Sequence, residues 1–307
     1  LRSRVFANFG AQCSFARGGF LLKNIAEMKA LLAEIDTKPK KSFGQNYLVN
    51  EAVIEKTIAT VALLKPKFLV EIGPGLGSLT RELAELSCPL VLIELDRDLV
   101  AYWLTQKFNV MACDALKVDW SGISQGAAGA AITSATPITL VSNLPFEISS
   151  TLLVDLSTTV TPIKEMVLMF QKEVAQRIQA KKRTSEYGLL SVISQSAWTS
   201  EKVCDANPSS FFPPPRIAGR VMLFRRRVDL GGANFDGAKF LKFVKAAFAQ
   251  RRKYLCKNLA TVVTGPGAAD RILAGLAELG HSPKARAEEL DADEFVRLFK
   301  IYEGVKA

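Results

Sequence analysis

The most constraining feature of the chain is the run Phe68-Leu-Val-Glu-Ile72, which ends in Gly73-Pro-Gly-Leu-Gly77. A run that is apolar on both faces suits a strand buried inside a parallel sheet, since a strand with one wet face alternates instead. Glycines placed directly after such a strand let the backbone turn sharply and bring amides close to a ligand. The pattern repeats, with strands expected over 90–95, 110–112, 138–142 and 166–170. Helices are expected over 52–64, from the glycines to about Leu86, and after Leu95. This alternation predicts a doubly wound α/β domain.

The ends of these strands carry the polar residues. Gly73 and Gly75 stand after the first strand, near whose end lies Glu71; Glu94 stands at the tip of the second and Asp114 after the third. The dinucleotide fingerprint G-x-G-x-x-G is absent. A tight structural turn would explain the glycines, a surface carboxylate would explain Glu94, and a helix cap would explain Asp114. Taken together, they predict an adenosyl ligand without a pyrophosphate, S-adenosylmethionine, with Glu94 accepting ribose hydroxyls and Asp114 the adenine amine. The fourth strand ends in Asn143-Leu-Pro-Phe146, a neutral amide beside an aromatic face, which suits a planar amine such as adenine.

Charge and residue usage narrow the chemistry. The single histidine, His281, removes the usual proton carrier and the usual metal ligand, so no metal is expected, and His281 itself reads as a loop residue without a catalytic part. The five cysteines are scattered and never form C-x-x-C, which points to reduced thiols and no disulfide framework. No stretch reaches the roughly 18 apolar residues of a membrane helix, so a soluble protein is expected. The net charge of +10 is unevenly distributed: residues 165–260 hold 18 basic and 7 acidic groups. That surplus fits either a solvated surface or a footprint for a polyanion. Residues 1–27 carry Arg2, Arg4, Arg17 and Lys23 with no acid before Glu27, and are expected to lie outside the fold, as an upstream extension or an organellar transit peptide.

The segments 43–48 (FGQNYL), 71–76 (EIGPGL), 93–98 (IELDRD), 143–146 (NLPF), 171–174 (QKEV), 187–192 (YGLLSV), 211–215 (FFPPP) and 250–253 (QRRK) follow in the order seen in a known family. The chain thereby resembles the rRNA adenine dimethyltransferases of the bacterial KsgA type over about residues 30–300. The resemblance implies a Rossmann-like methyltransferase domain, over 28–230, with a small α-helical RNA-binding domain over 231–307. It also implies a monomeric enzyme of ribosome biogenesis, cytoplasmic unless residues 1–27 address it to an organelle. Its substrate would be two adjacent adenosines near the 3′ end of small-subunit (16S) rRNA in a pre-ribosomal small subunit, dimethylated at N6. By position, Asn46, Leu48, Gly73, Glu94, Asp114 and Asn143 match the family's donor contacts. The fourth motif usually ends in Tyr where this chain has Phe146, which keeps a stacking face and loses a hydroxyl.

The implied mechanism needs no imidazole. If the Asn143 side-chain oxygen and the Leu144 carbonyl accept both N–H bonds of the adenine amine, its lone pair is aimed at the methyl donor. Pro145 shapes this clamp, and Phe146 and Phe211 are the expected stacking faces for a base that has left its helix. A single helix over 240–260 would set Leu241, Val244, Phe248, Leu255 and Leu259 on an apolar arc, with Lys242, Lys245, Arg252, Lys253 and Lys257 beside it facing phosphates. Arg225, Arg226 and Arg227 end a strand expected to join that basic surface. Three other readings stay open: a resistance-type methylase of large-subunit rRNA, a mitochondrial transcription-factor relative that only binds, and an assembly checkpoint.

Overall fold

The structure, a computed structural model, describes residues 25–120, 123, 136–227 and 235–304. In chain order its elements are α1 (Ile25–Glu34), β1 (Tyr47–Leu48), α2 (Glu51–Leu63), β2 (Leu69–Ile72), α3 (Thr80–Ala84), β3 (Leu90–Glu94), α4 (Arg97–Thr105), β4 (Asn109–Ala112), β5 (Ile138–Ser142), α5 (Phe146–Thr158) and β6 (Ile163–Gln171). There follow α6 (Lys172–Ile178), α7 (Leu189–Ala197), β7 (Trp198–Ala206), β8 (Phe211–Phe212), β9 (Gly219–Arg226), α8 (Gly237–Ala247), α9 (Leu255–Leu259), α10 (Ala268–Glu278) and α11 (Ala292–Glu303).

Seven strands form one sheet in the order β4-β3-β2-β5-β6-β9-β7, and β1 and β8 make a separate two-stranded pair. The pairs β2/β3, β2/β5, β3/β4 and β5/β6 are parallel. Every residue of β2, β3 and β5 is buried, which is why these segments read as continuous apolar runs. The chain winds outward from β2 in one direction through β3 and β4, and in the other through β5 and β6. Such a reversal leaves a crevice at the carboxyl ends of the strands, where open α/β sheets bind ligands. Side-chain caps fix the helix starts: Asn50 Oδ1 accepts from the Val53 amide at α2 (3.1 Å), and Asp96 accepts from the Asp98 amide at α4 (3.2 Å). Each such cap contributes about 1 kcal/mol.

The extension expected before Met28 departs from the structure at its edge. α1 begins at Ile25, and Met28, Leu31 and Leu32 are buried in the first core cluster with Leu69 and Leu92, so 25–27 belong to the fold. Residues 1–24, where most of the expected extension falls, lie outside the described residues.

The chain divides into two compact units. One comprises the described residues up to Ser149 with Thr161–Phe170 and Lys202–Leu223; the other comprises Ser150–Val160, Gln171–Glu201 and the described residues from Phe224 onward. The boundary expected at 230/231 falls in residues outside the description, and the second unit is larger than a C-terminal appendage. Its core explains why: Tyr187, Val192 and Ile193, from the segment around α7, are buried in one cluster with Phe240, Phe243, Phe295 and Phe299. The Tyr187 hydroxyl donates to the Leu290 carbonyl at 2.9 Å, and Lys182 pairs with Asp291 and Glu294, each at 2.9 Å. His281 lies in a loop of this unit with Nε2 3.0 Å from Glu294 Oε1.

The single helix expected over 240–260 is two, α8 and α9, separated by a turn. The buried Asn258 side chain donates to the carbonyls of Ala247 (2.8 Å) and Gln250 (2.9 Å), satisfying groups that a continuing helix would have bonded. Phe240 and Phe243 take core places that the expected arc gave to Leu241 and Phe248, which are half-buried.

Candidate active site

The residues at the ends of β2, β3, β4 and β5 line one pocket. Asn46, Leu48, Gly73, Gly75, Glu94, Asp114, Asn143, Leu144, Pro145, Phe146 and Phe211 all border it. Parallel register brings the strand ends together, with Ile72 beside Ile93, Glu94 beside Ala112, and Glu71 beside Val141. The Ser142 hydroxyl donates to the Ile72 carbonyl at 2.5 Å and ties β5 to β2 just before Asn143.

At the glycine turn Gly73 has φ +63° and its amide donates to the Ile93 carbonyl at 2.8 Å. Gly77 has φ +93°, and a Cβ there would stand 2.7 Å from the Trp103 ring. The Trp103 indole N–H donates to the Gly75 carbonyl at 3.0 Å, which anchors the turn to α4. Substituting either glycine would strain this turn.

Glu94 is 7% exposed; its Oε1 accepts from the amides of Leu95 (2.7 Å) and Asp96 (2.9 Å). Burial raises its pKa, against the pull of those amides. Asp114 serves as a cap, Oδ1 accepting from the Leu116 amide at 3.0 Å, while it also borders the pocket. The two expectations for Asp114 are therefore compatible, because a carboxylate has a second oxygen to offer.

Asn143 is fixed by a contact the sequence did not reveal. Its Nδ2 donates to the Asn46 carbonyl at 3.1 Å. A carbonyl only accepts, so the amide orientation is determined and Oδ1 is left as the acceptor. The segment bearing Asn46 is itself held down: Gln45 Nε2 donates to Asp96 Oδ2 (2.8 Å), and Gln45 Oε1 accepts from the Lys40 amide (2.7 Å) and the Tyr47 hydroxyl (3.0 Å). Lys40 Nζ bridges Asp96 and Asp98, at 2.5 and 2.7 Å. Gln45 lies inside the FGQNYL segment and Asp96 inside IELDRD, so the motifs flagged both residues but not their mutual bond. Leu48 pairs with Phe211 across β1 and β8, and its carbonyl accepts from Ser78 Oγ at 2.6 Å. Phe211 is thus buried, at 3% exposure, and meets the pocket from its wall, whereas Phe146 is half-buried at the start of α5.

The basic residues fare differently. Lys242, Lys245, Arg252, Lys253 and Lys257 are exposed. Of Arg225, Arg226 and Arg227, expected to join them, the last two are half-buried and bonded within the protein, while Arg225 is exposed in a surface ion pair. Arg225 pairs with Glu201 at 2.6 Å. Arg226 donates to the carbonyls of Leu156 (2.6 Å) and Thr159 (3.2 Å) and lies 4.7 Å over the Trp198 ring. Arg227 bonds Asp293 and the Gln195 carbonyl, each at 2.8 Å.

A cationic adenosyl donor can be tested against this pocket. The fully buried Oε2 of Glu71 has no hydrogen-bond partner in the structure, and Glu94 stands beside it; together they offer acidic acceptors behind a glycine turn. These features fit such a donor, and with the crevice they define the class: an S-adenosylmethionine-dependent methyltransferase. The family model for ribosomal RNA adenine dimethylase matches residues 36–303, and the chain belongs to that family. It is 45% identical to the ribosomal RNA small subunit methyltransferase A of Bdellovibrio bacteriovorus, over 86% of this chain and 92% of that one. The protein of the same name from Natranaerobius thermophilus is 32% identical over 91% of this chain and 97% of its own. Among solved structures, a dimethyladenosine transferase from Plasmodium falciparum superposes with a TM-score of 0.65 at 24% identity, covering 84% of this chain and 98% of that one. The 23S rRNA methyltransferase ErmE superposes at 0.57, also at 24% identity, covering 84% and 100%. Both show the shared fold.

Proposed function

We propose that the protein dimethylates, at N6, two adjacent adenosines near the 3′ end of small-subunit rRNA within a pre-ribosomal small subunit. The observation that carries this reading is the oriented Asn143 amide. With Nδ2 bound to the Asn46 carbonyl, Oδ1 is the neutral acceptor beside Leu144 at the pocket. The bound donor supplies an electrophilic methyl group. The chain's own residues do the rest. Glu94, Asp114, Asn46 and Leu48, with the turn at Gly73 and Gly75, would hold the adenosyl part. Asn143 Oδ1 and the Leu144 carbonyl accept the two N–H bonds of the target amine and direct its lone pair, while Pro145 fixes the turn of that clamp. Phe146 and Phe211 give the extruded base apolar faces. Orientation of this kind is worth up to about 7–11 kcal/mol of barrier, which removes the need for a strong general base.

The exposed Lys242, Lys245, Arg252, Lys253 and Lys257 supply phosphate contacts in this reading. The named relatives that align over most of the chain favour the small subunit over the large-subunit alternative. The test uses labelled methyl donor with small- and large-subunit rRNA particles. Label is expected in the small-subunit RNA alone, and Asn143→Ala should abolish transfer while leaving RNA affinity within about twofold, because phosphate contacts dominate affinity. Label in the large-subunit RNA, or loss of RNA binding in the variant, would overturn the reading.

A further inference from the structure

The pocket is lined by the carboxyl groups of Glu71, Glu94, Asp114 and Glu147 and, among the described residues, by no lysine, arginine or histidine. Two of these carboxyls are buried. Glu94 is compensated by the amides of Leu95 and Asp96, but Glu71, 2% exposed, has Oε2 sealed from solvent without a partner. Its strand neighbours are Leu92 and Val141, which are apolar, and α3 presents the Thr80 hydroxyl. The charged group that bears on it is Glu94, of the same sign; Lys40, which reaches Asp96 beyond the tip of β3, is committed to Asp96 and Asp98. An ionised carboxylate in such surroundings is strongly disfavoured until a cation meets it. Burial pushes the Glu71 carboxyl up to about 8, against the pull of the Thr80 hydroxyl and with Glu94 adding to the rise.

We propose that Glu71 senses the charge of the methyl donor: neutral in the ligand-free protein, it ionises when the cationic donor binds and is reprotonated once the uncharged thioether product remains. The inference rests on the donor reading above. S-adenosylmethionine carries a sulfonium and an ammonium against one carboxylate, and transfer removes the sulfonium charge. On donor binding the Glu71 proton passes to solvent, and after transfer a proton returns from solvent. Below the folded pKa of Glu71, donor binding is therefore coupled to deprotonation, and donor affinity rises with pH until it levels off above that value. Product binding lacks this coupling. The preference for donor over product then grows between about pH 6 and 8, because the spent product keeps its ammonium and carboxylate but no longer offers the sulfonium charge that held Glu71 ionised. An enzyme that adds two methyl groups to one nitrogen must replace product by donor between transfers, and this coupling drives the replacement.

Calorimetric titration of the full chain, in paired buffers of different ionisation enthalpy, counts the protons. At about pH 7 binding of S-adenosylmethionine should release about one proton more than binding of S-adenosylhomocysteine, and the difference should vanish above about pH 9. Glu71→Gln should abolish the difference, which separates the Glu71 proton from any exchanged by the ligand's own amine; Glu71→Leu, matched to its apolar neighbours, serves if the amide does not fold. Equal proton counts for donor and product, or a difference that persists in the variants, would overturn the inference. If the product bound and the donor did not, the donor reading itself would fall, a result distinct from equal counts.

Discussion

Glu94 sits at the tip of β3 with one carboxyl oxygen already engaged by two backbone amides, so the other is what it can offer a ribose. Glu94→Ala should weaken S-adenosylmethionine binding by about 1.5–3 kcal/mol, the usual worth of a hydrogen bond to a charged group, with the melting transition preserved. Unchanged affinity by calorimetry would remove Glu94 from the donor site. At this scale, residues whose position follows from a strand end were legible in the sequence: Gly73, Glu94, Asp114 and Asn143 all come to one pocket. Residues whose roles need a partner far along the chain were not. Gln45 meets Asp96 across 51 positions, and Asn143 meets the Asn46 carbonyl across 97. Glu71 was visible as a strand-end residue, but its burial between Leu92 and Val141, with only the Thr80 hydroxyl to favour its charge and Glu94 opposing it, depends on contacts that no local pattern encodes.

Among the elements, buried parallel strands were the easiest to read, since β2, β3 and β5 are buried along their whole length. β7 was missed for the opposite reason: as the last strand in the sheet order it carries exposed or half-buried residues through Thr199, Ser200, Glu201 and Lys202. Edge strands need few apolar residues, so periodicity says little about them. The break between α8 and α9 was invisible for a third reason, because it is enforced by the side chain of Asn258 reaching back to Ala247 and Gln250. That break changes what the basic residues can do. Arg252 and Lys253 stand on the exposed turn rather than on one stripe with Lys242 and Lys245. If they contact phosphates, reversing Arg252 and Lys253 to Glu should weaken rRNA binding and reduce the slope of log affinity against log salt by about 0.7–0.9 per lost contact. Donor binding should be untouched. An unchanged slope across several salt concentrations would make the turn an ordinary charged surface.

At the scale of the whole molecule charge is unevenly distributed. The pocket is bordered by carboxylates, and the basic surplus of residues 165–260 lies largely in the second unit, together with the exposed lysines of α8 and α9. The second unit's composition was only partly legible, because the segment around α7 falls inside the domain expected over 28–230 yet buries Tyr187, Val192 and Ile193 among the C-terminal phenylalanines. The central claim, that the protein dimethylates a pair of small-subunit adenosines whose amines the oriented Asn143 amide holds, is tested most directly by mass spectrometry. Unmethylated small-subunit particles would be incubated with the protein and S-adenosylmethionine, and the RNA digested and sequenced by mass. Two adjacent N6,N6-dimethyladenosines near the 3′ end, absent with Asn143→Ala, are the predicted result. RNA whose mass stays unchanged, or methyl groups at any other position, would contradict it.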